Sequence, residues 1–324
     1  MIIIRSGQSS PIGPSYTTDI GNMNAPHVSL SIIITNHNYG SYLPRLFDAL
    51  NRQTHPLDDT EIILVDDGST DDSVPTAEAL GKELNCARFM LLHAGGKGHP
   101  APVRNKGLAR AKGALLFAMD ADDLIDAEFL RACREMLDYR PSVDLVYTAQ
   151  KIVHEDGHIP PQTILLPCAT PHLLSWQNVV TSPAVFRRKV LENSQGFRRD
   201  TMYEDWDFWV QAAAAGFRFG RIESALFTYW KHGASFTSQA VENDRMSKVR
   251  IVADNPALFH ISVRKWASLV LSGHSVESFP RGIIPLPQDA MALLANHTLS
   301  AMTDPTGPTG QPHAAMAARR HDFA

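Results

Sequence analysis

Leu30-Ser31-Ile32-Ile33-Ile34-Thr35-Asn36-His37-Asn38 sets a short, almost unbroken β-branched run against a polar end. A run of this kind, without polar alternation, predicts a strand buried on both faces of a parallel sheet. The pattern repeats downstream. Glu61-Ile62-Ile63-Leu64-Val65 predicts a second strand, Arg88 to Leu92 a third, Ala114 to Met119 a fourth and Val143 to Thr148 a fifth. Helical periodicity lies between them. Tyr42, Leu43, Leu46, Phe47 and Leu50 share one face behind Ser41 as a candidate cap. A weaker helix is predicted over Thr76 to Leu84 and another from Ala101 to a C′ glycine at Gly113. Asp126 is a candidate cap for a helix with Phe129, Leu130, Cys133, Met136 and Leu137 inward. This β-α-β rhythm predicts an α/β fold with a mainly parallel sheet flanked by helices.

Composition supports a globular chain and excludes several classes. The 324 residues are 44% hydrophobic and 20% charged, which is too apolar for disorder. Thirty Lys+Arg against 34 Asp+Glu leave a net charge of −4. That balance argues against a nucleic-acid partner. No apolar run approaches the roughly 18 residues that a membrane span needs. Cys86, Cys133 and Cys168 show no C-x-x-C spacing, so neither a disulfide framework nor a structural zinc site is expected. A cytoplasmic protein with reduced thiols is the resulting expectation. Residues 1–26 read as a flexible leader and 301–324 as a disordered tail, with Met23 a candidate start.

In parallel sheets ligands bind beyond the carboxyl ends of the strands. Those ends here carry Thr35-Asn36-His37-Asn38, Asp66-Asp67-Gly68-Ser69 and Asp120-Ala121-Asp122-Asp123. The last crowds three carboxylates into four residues, a hard-oxygen donor set suited to Mg²⁺ or Mn²⁺ or, equally, a solvated turn. It is no EF-hand, lacking the Gly and Glu that such a loop requires. The Asp66-Asp67 pair can accept from a base or ribose, or simply cap a turn. Arg104, near a helix start, suits phosphate or carboxylate. Gly95-Gly96-Lys97-Gly98 matches neither G-x-G-x-x-G nor the P-loop pattern, which argues against a nicotinamide dehydrogenase and a P-loop NTPase. Farther on, Tyr203-Glu204-Asp205-Trp206-Asp207-Phe208-Trp209 opens a helix that ends at Gly216. Trp206, Trp209, Val210 and Ala213 form its inner face. Glu204 and Asp205 either favour the macrodipole or supply a general base. Lys231 and His232 follow a strand, where they could meet phosphate or metal.

The order of these clusters resembles the family 2 glycosyltransferases of the GT-A fold, over about residues 28–235. The resemblance implies a Rossmann-like GT-A domain over 27–235, with a nucleotide-sugar half at 27–125 and an acceptor half at 126–235. It implies that Thr35, His37, Asn38 and Asp67 lie about the nucleotide base, with uracil the expected base. Arg104 would then sit beside the ribose or diphosphate. Asp120 and Asp122 form the D-x-D motif, and Asp122 or Asp123 would hold Mn²⁺ or Mg²⁺ on the donor diphosphate. Asp205 would be the catalytic base, with Lys231 and His232 near the diphosphate. His37 stands where many members have Tyr. The Q-x-x-R-W motif of processive synthases is absent, so single additions of sugar are expected. The implied reaction is inverting transfer from a UDP-sugar to a hydroxyl of a saccharide, lipid-linked or small-molecule acceptor, with peripheral membrane contact allowed.

Two other classes fit parts of the pattern: an inactive nucleotide-sugar or glycan-binding module, and a nucleotidyltransferase. The latter would normally carry a Gly-rich phosphate loop after the first strand, which Thr35-Asn36-His37-Asn38 is not. Residues 236–300 read as a C-terminal helical segment broken at Asn255-Pro256. Val249, Val252, Ala253, Trp266, Leu269 and Val270 are its candidate packing face. Acceptor contacts are expected from 150–200, where Pro160-Pro161 and Pro167 mark irregular loops.

Overall fold

The computed structural model describes residues 18–21, 28–96, 98–180, 183–232, 240, 242–277 and 279–303. The continuous apolar run becomes strand β2 (Leu30–Asn36), buried along its whole length. It lies between β3 (Leu57–Asp66) and β5 (Leu115–Asp120), parallel to both, and β4 (Cys86–His93) runs parallel to β3 on the far side. Alternation along these strands divides the interior in two. Ile32, Ile34, Ile62, Leu64, Phe117 and Met119 face one core, beneath helices α1 (Leu43–Asn51), α2 (Ser73–Gly81) and α4 (Phe129–Tyr139). Ile33, Ile63, Val65, Leu116 and Ala118 face the other. Helix α3 (Pro100–Leu108) covers this second face together with α7 (Glu204–Ala214), whose Trp206, Trp209, Val210 and Ala213 are all buried. Truncating any one of these isoleucines to alanine would cost about 2–5 kcal/mol.

The sheet is mixed rather than mainly parallel. Its ten strands among the described residues run β1-β4-β3-β2-β5-β9-β7-β10-β6, with β8 beside β7. Beyond β5, the short β9 (Val185–Arg187) pairs antiparallel with both β5 and β7 (Leu145–His154). Strand β10 (Phe219–Lys231) returns parallel to β7, and β6 (Leu124–Ile125) and β8 (Gln162–Ile164) pair antiparallel at the margins. Short helices α5 (Pro171–Leu174) and α6 (Arg188–Glu192) flank β9 in the chain.

Several local expectations shift. Ser41 does not cap α1; Tyr42 occupies that position and makes no side-chain bond to the helix. Helix α2 starts and ends about three residues early. Helix α3 stops at Leu108, so Gly113 is not its C′ residue. Gly113 is instead required where the chain crosses β2: a Cβ there would stand 2.6 Å from the Leu30 carbonyl carbon and 2.6 Å from the Ser31 nitrogen. Asp126 lies ahead of α4 and accepts the Glu128 N–H at 3.2 Å, while Glu128 holds the cap position.

The expected leader contains a strand. β1 (Thr18–Gly21) adds antiparallel to β4, held by a bidentate Asp19–Arg88 pair at 2.8 and 2.6 Å. Met23 and most of the expected tail lie outside the described residues, but the last helix reaches into 301–303. The C-terminal segment forms α8 (Asp244–Asp254), α9 (Ile261–Leu271) and α10 (Pro287–Thr303). Val249, Val252, Trp266 and Val270 are buried in the second core and Leu269 packs against it, whereas Ala253 is exposed. No helix among the described residues is long and apolar enough to cross a membrane.

Candidate active site

Register brings the strand ends into one row. Thr35 pairs with both Val65 and Asp120, Asn36 with Asp66, and Asp66 with His93. Above this row opens a cavity of about 1180 Å³. Thr35, His37, Asn38, Asp67, Arg104, Asp120, Asp123 and Asp205 all line it. Tyr39, Tyr203, Trp206 and Tyr229 give it aromatic walls.

At one end the polar residues mainly hold one another. Asn36 donates to Asp66 Oδ1 at 2.9 Å, and the Gly68 and Ser69 N–H groups donate to Asp66 Oδ2 at 3.1 and 3.0 Å. Burial opposes ionisation of Asp66, but hydrogen bonds from His93, Ser69 and Asn36 hold its carboxyl well below the usual range. Asp66 is therefore an anionic turn clamp. Asp67 receives the Gly96 N–H on Oδ1 at 3.0 Å and the Gly98 N–H on Oδ2 at 2.8 Å. Its first duty is to fix the glycine loop at the cavity wall. His37 points its ring outward, with Nδ1 2.9 Å from the Asp67 carbonyl. Asn38 takes a left-handed backbone, φ 58°, and its Oδ1 accepts the Thr70 N–H at 2.7 Å.

The centre is built on Arg104, which is only 3% exposed. Its Nη2 donates to both oxygens of Asp120 at 2.9 Å, and its Nη1 donates to Glu204 at 2.5 Å. Thr35 Oγ1 donates to the same Asp120. Arg104 thus lines the cavity, but its charge is engaged by two carboxylates rather than open to an anion. These partners outweigh the burial that would lower its pKa, and raise it. Burial pushes Glu204 up to about 7, with Arg104 opposing and Asp205 adding to the rise. Asp205 is also raised by burial. It receives the Trp206 N–H on Oδ1 at 2.7 Å and the Asn178 amide on Oδ2 at 3.2 Å.

Asp120, Asp122 and Asp123 present oxygens within 4.8 Å of one another. Burial and neighbouring carboxylates raise both Asp122 and Asp123, Asp123 well above its ordinary value. A hard divalent cation is the natural counter-charge for such a donor set. His232 is not a member of this group. Its Nε2 lies 2.8 Å from Asp122 Oδ2, and its ring packs 5.5 Å from those of Tyr39 and Tyr42. Lys231 does not reach the cavity: it is the exposed last residue of β10, paired with His154.

Residues 31–194 match the model described as Glycosyl transferase family 2, about half of the chain. The chain belongs to that family. An uncharacterized glycosyltransferase of Nostoc, alr2836, is 28% identical over 254 residues, which is 73% of this chain and 76% of the relative. TarS of Staphylococcus aureus, a poly(ribitol-phosphate) beta-N-acetylglucosaminyltransferase, is 30% identical over 131 residues, 40% of this chain and 22% of TarS. The chain spans less than half the length of the curated relatives EpsH, GlyG and TarS. The fold is shared with the crystal structure of TarS 1–349 in complex with UDP-GlcNAc, at TM-score 0.58 and 21% identity, covering 74% of this chain and 70% of that one. A mannosyltransferase of Pyrobaculum calidifontis, in complex with GDP-Man and Mn²⁺, superposes at TM-score 0.55 and 18% identity, covering 86% and 82%.

Residues that sequence reasoning did not single out complete the cavity. Gln150 and Ile152 on β7, with Leu166, Gln177, Asn178 and Val180 beyond it, come from the 150–200 span expected to meet the acceptor. Ala240, Arg281, Gly282 and Ile283 come from the C-terminal segment, so that segment shapes the cavity as well as packing on the core. Pro280-Arg281-Gly282 does carry a turn signature. Nothing local marks it as cavity lining.

Proposed function

We propose that this protein transfers a sugar, with inversion, from a nucleotide-diphosphate donor to an acceptor hydroxyl, one sugar at a time. The observation that carries the reading is the division of labour between Glu204 and Asp205. Glu204 is spent on Arg104, whereas Asp205 is part-exposed, lines the cavity and is oriented by two donors. Inverting transfer needs one carboxylate to take the acceptor proton during in-line attack, and Asp205 is free for that task. Its raised pKa brings it nearer the working range of a general base.

The donor would lie along the row of strand ends. Thr35, His37, Asn38 and Asp67 border the base, with UDP the proposed carrier, supported by the UDP-GlcNAc complex of TarS. Asp120, Asp122 and Asp123 would hold Mn²⁺ or Mg²⁺, with Arg104 and Thr35 fixing Asp120 and His232 fixing Asp122. Such an ion would offset the charge that develops on the departing diphosphate. The Mn²⁺ beside GDP-Man in the mannosyltransferase supports this assignment. Arg104 then acts as a positioning residue, joining the donor carboxylate Asp120 to the Glu204–Asp205 turn. The acceptor would enter from the side of Asn178, Tyr203 and Tyr229.

The test is Asp205→Asn. Nucleotide release in the presence of acceptor should fall roughly 10²–10⁴-fold while UDP affinity stays within twofold. Retention of transfer within tenfold of wild type would reject Asp205 as the base.

A further inference from the structure

The cavity holds two arginines in very different circumstances. Arg104 is buried between Asp120 and Glu204. Arg281 is exposed, lines the acceptor side, and forms no ion pair among the described residues. The other charged side chains of the lining are carboxylates: Asp67, Asp120, Asp123, Glu204 and Asp205. The imidazole of His99 is biased to its neutral form by burial. Arg281 is therefore the one guanidinium of the described lining without a carboxylate partner; its neighbour is the Tyr203 hydroxyl, which leaves its charge uncompensated for an incoming anion.

The loop that carries it is held from several directions. Lys248, 1% exposed, donates to the carbonyls of Phe279 at 3.1 Å and Pro280 at 2.8 Å. Asp244, paired with Lys248 at 2.6 Å, accepts the Gly282 N–H at 2.8 Å and the Tyr203 hydroxyl at 2.7 Å. Gly282 adopts φ +66°, and the Ile284 N–H donates to the Trp176 carbonyl at 2.9 Å. A buried lysine–aspartate pair thus locks the loop to α8 and to Tyr203, one residue before the Glu204–Asp205 turn. Arg281 reaches the Tyr203 hydroxyl, where its hydrogen bond and its charge both counter the rise that burial and Asp244 impose on that phenol's pKa. A side chain whose backbone is fixed this way has only its own rotamers left to order when a ligand arrives.

We infer that Arg281 selects the acceptor by an anionic group, a phosphate or a carboxylate, carried near the reacting hydroxyl. This inference rests on the reading of the Asp205 side as the acceptor site. The donor diphosphate is not the intended partner, because the divalent ion that would neutralise it is proposed at the carboxylate cluster of the strand ends. The fork of Arg281 matches either anion by two parallel N–H···O bonds.

Glucose, glucose 6-phosphate and glucuronate test this directly. Each is titrated by saturation-transfer NMR into the full chain, with and without UDP and Mn²⁺. Wild type, Arg281→Gln and Arg281→Lys are compared, and UDP affinity is measured separately for each. At least one anionic sugar should bind wild type about tenfold more tightly than glucose. Arg281→Gln should remove that preference, Arg281→Lys should keep part of it, and UDP affinity should stay within twofold. The better of the two anions names the acceptor chemistry. Equal binding of all three sugars, no binding of either anion, or a preference that survives Arg281→Gln would overturn the inference. So would a fall in UDP affinity in Arg281→Gln, which would put the residue on the donor side. Wild type that fails to bind UDP would strike at the transfer reading instead.

Discussion

Replacing Arg104 by methionine removes the cation that joins the two acidic motifs. Arg104 and the Glu204 side chain are 3% and 7% exposed, so that ion pair is shielded from solvent. Asp120 is 33% exposed, and its share of the cost is discounted for screening. Breaking a buried pair by removing one partner costs about 3–5 kcal/mol, because the survivor is left charged without compensation. The penalty must also depend on pH. Glu204, pushed up to about 7, takes up a proton on folding between its ordinary value and 7. A raised carboxyl favours the fold at low pH, and that contribution is lost as pH rises through 7. Without Arg104 the rise is larger, so the gap between variant and wild type widens from pH 6 to pH 8.5. Urea unfolding of wild type, Arg104→Met, Glu204→Gln and the double variant at both pH values measures this. The double variant should recover more than half of the loss, since it removes the stranded charge. An Arg104→Met variant within about 1 kcal/mol of wild type at pH 8.5, or a double variant less stable than the single one, would refute the argument.

Two further outcomes are expected. In Asn178→Ala, Asp205 loses an amide donor that favours its ionised form; its pKa rises, and the acid limb of the kcat/KM profile moves to higher pH. An unmoved limb would mean that Asp205 does not govern it. Gly113→Ala should destabilise by at least about 1–3 kcal/mol in thermal unfolding, because the new methyl meets the backbone of Leu30 and Ser31 rather than a movable side chain. A neutral Gly113→Ala would mean that the chain can draw back from Leu30 and Ser31 at little cost.

The strand ends were legible because each combines a β-branched run with a polar cluster, and the two signals fall on the same residues. Thr35, Asp67, Asp120 and Asp123 reach one cavity for that reason, and α3 and α7 bring Arg104 and Asp205 to it. What the pattern cannot carry is partnership. Arg104 suits a phosphate or a carboxylate by chemistry, and only the fold brings it against Asp120 and Glu204. Asp67 is an acceptor by type, and only the fold supplies the Gly96 and Gly98 donors. Lys231 belongs to a strand whose pairing with β7 slips between Ile222 and Phe227, so its position past the cavity could not be counted from the strand's start. Thr18–Gly21 has too little apolar content to read as a strand; its Asp19 finds Arg88 from a distant part of the chain. Arg281 lies beyond the family match, in a turn whose anchors on Asp244 and Lys248 are contacts between elements, not features of its own stretch.

The proposed transfer depends above all on the strand-end carboxylates binding a nucleoside diphosphate through a divalent ion. Thermal unfolding with UDP and GDP, in Mn²⁺ or in EDTA, tests it on wild type, Asp122→Ala and Asp123→Ala. A nucleotide at 100 times its Kd stabilises by about 2.7 kcal/mol, an easily read rise in Tm. A rise with UDP that needs Mn²⁺ and is lost in the variants is expected. An equal rise in EDTA, or none with either nucleotide, would contradict it.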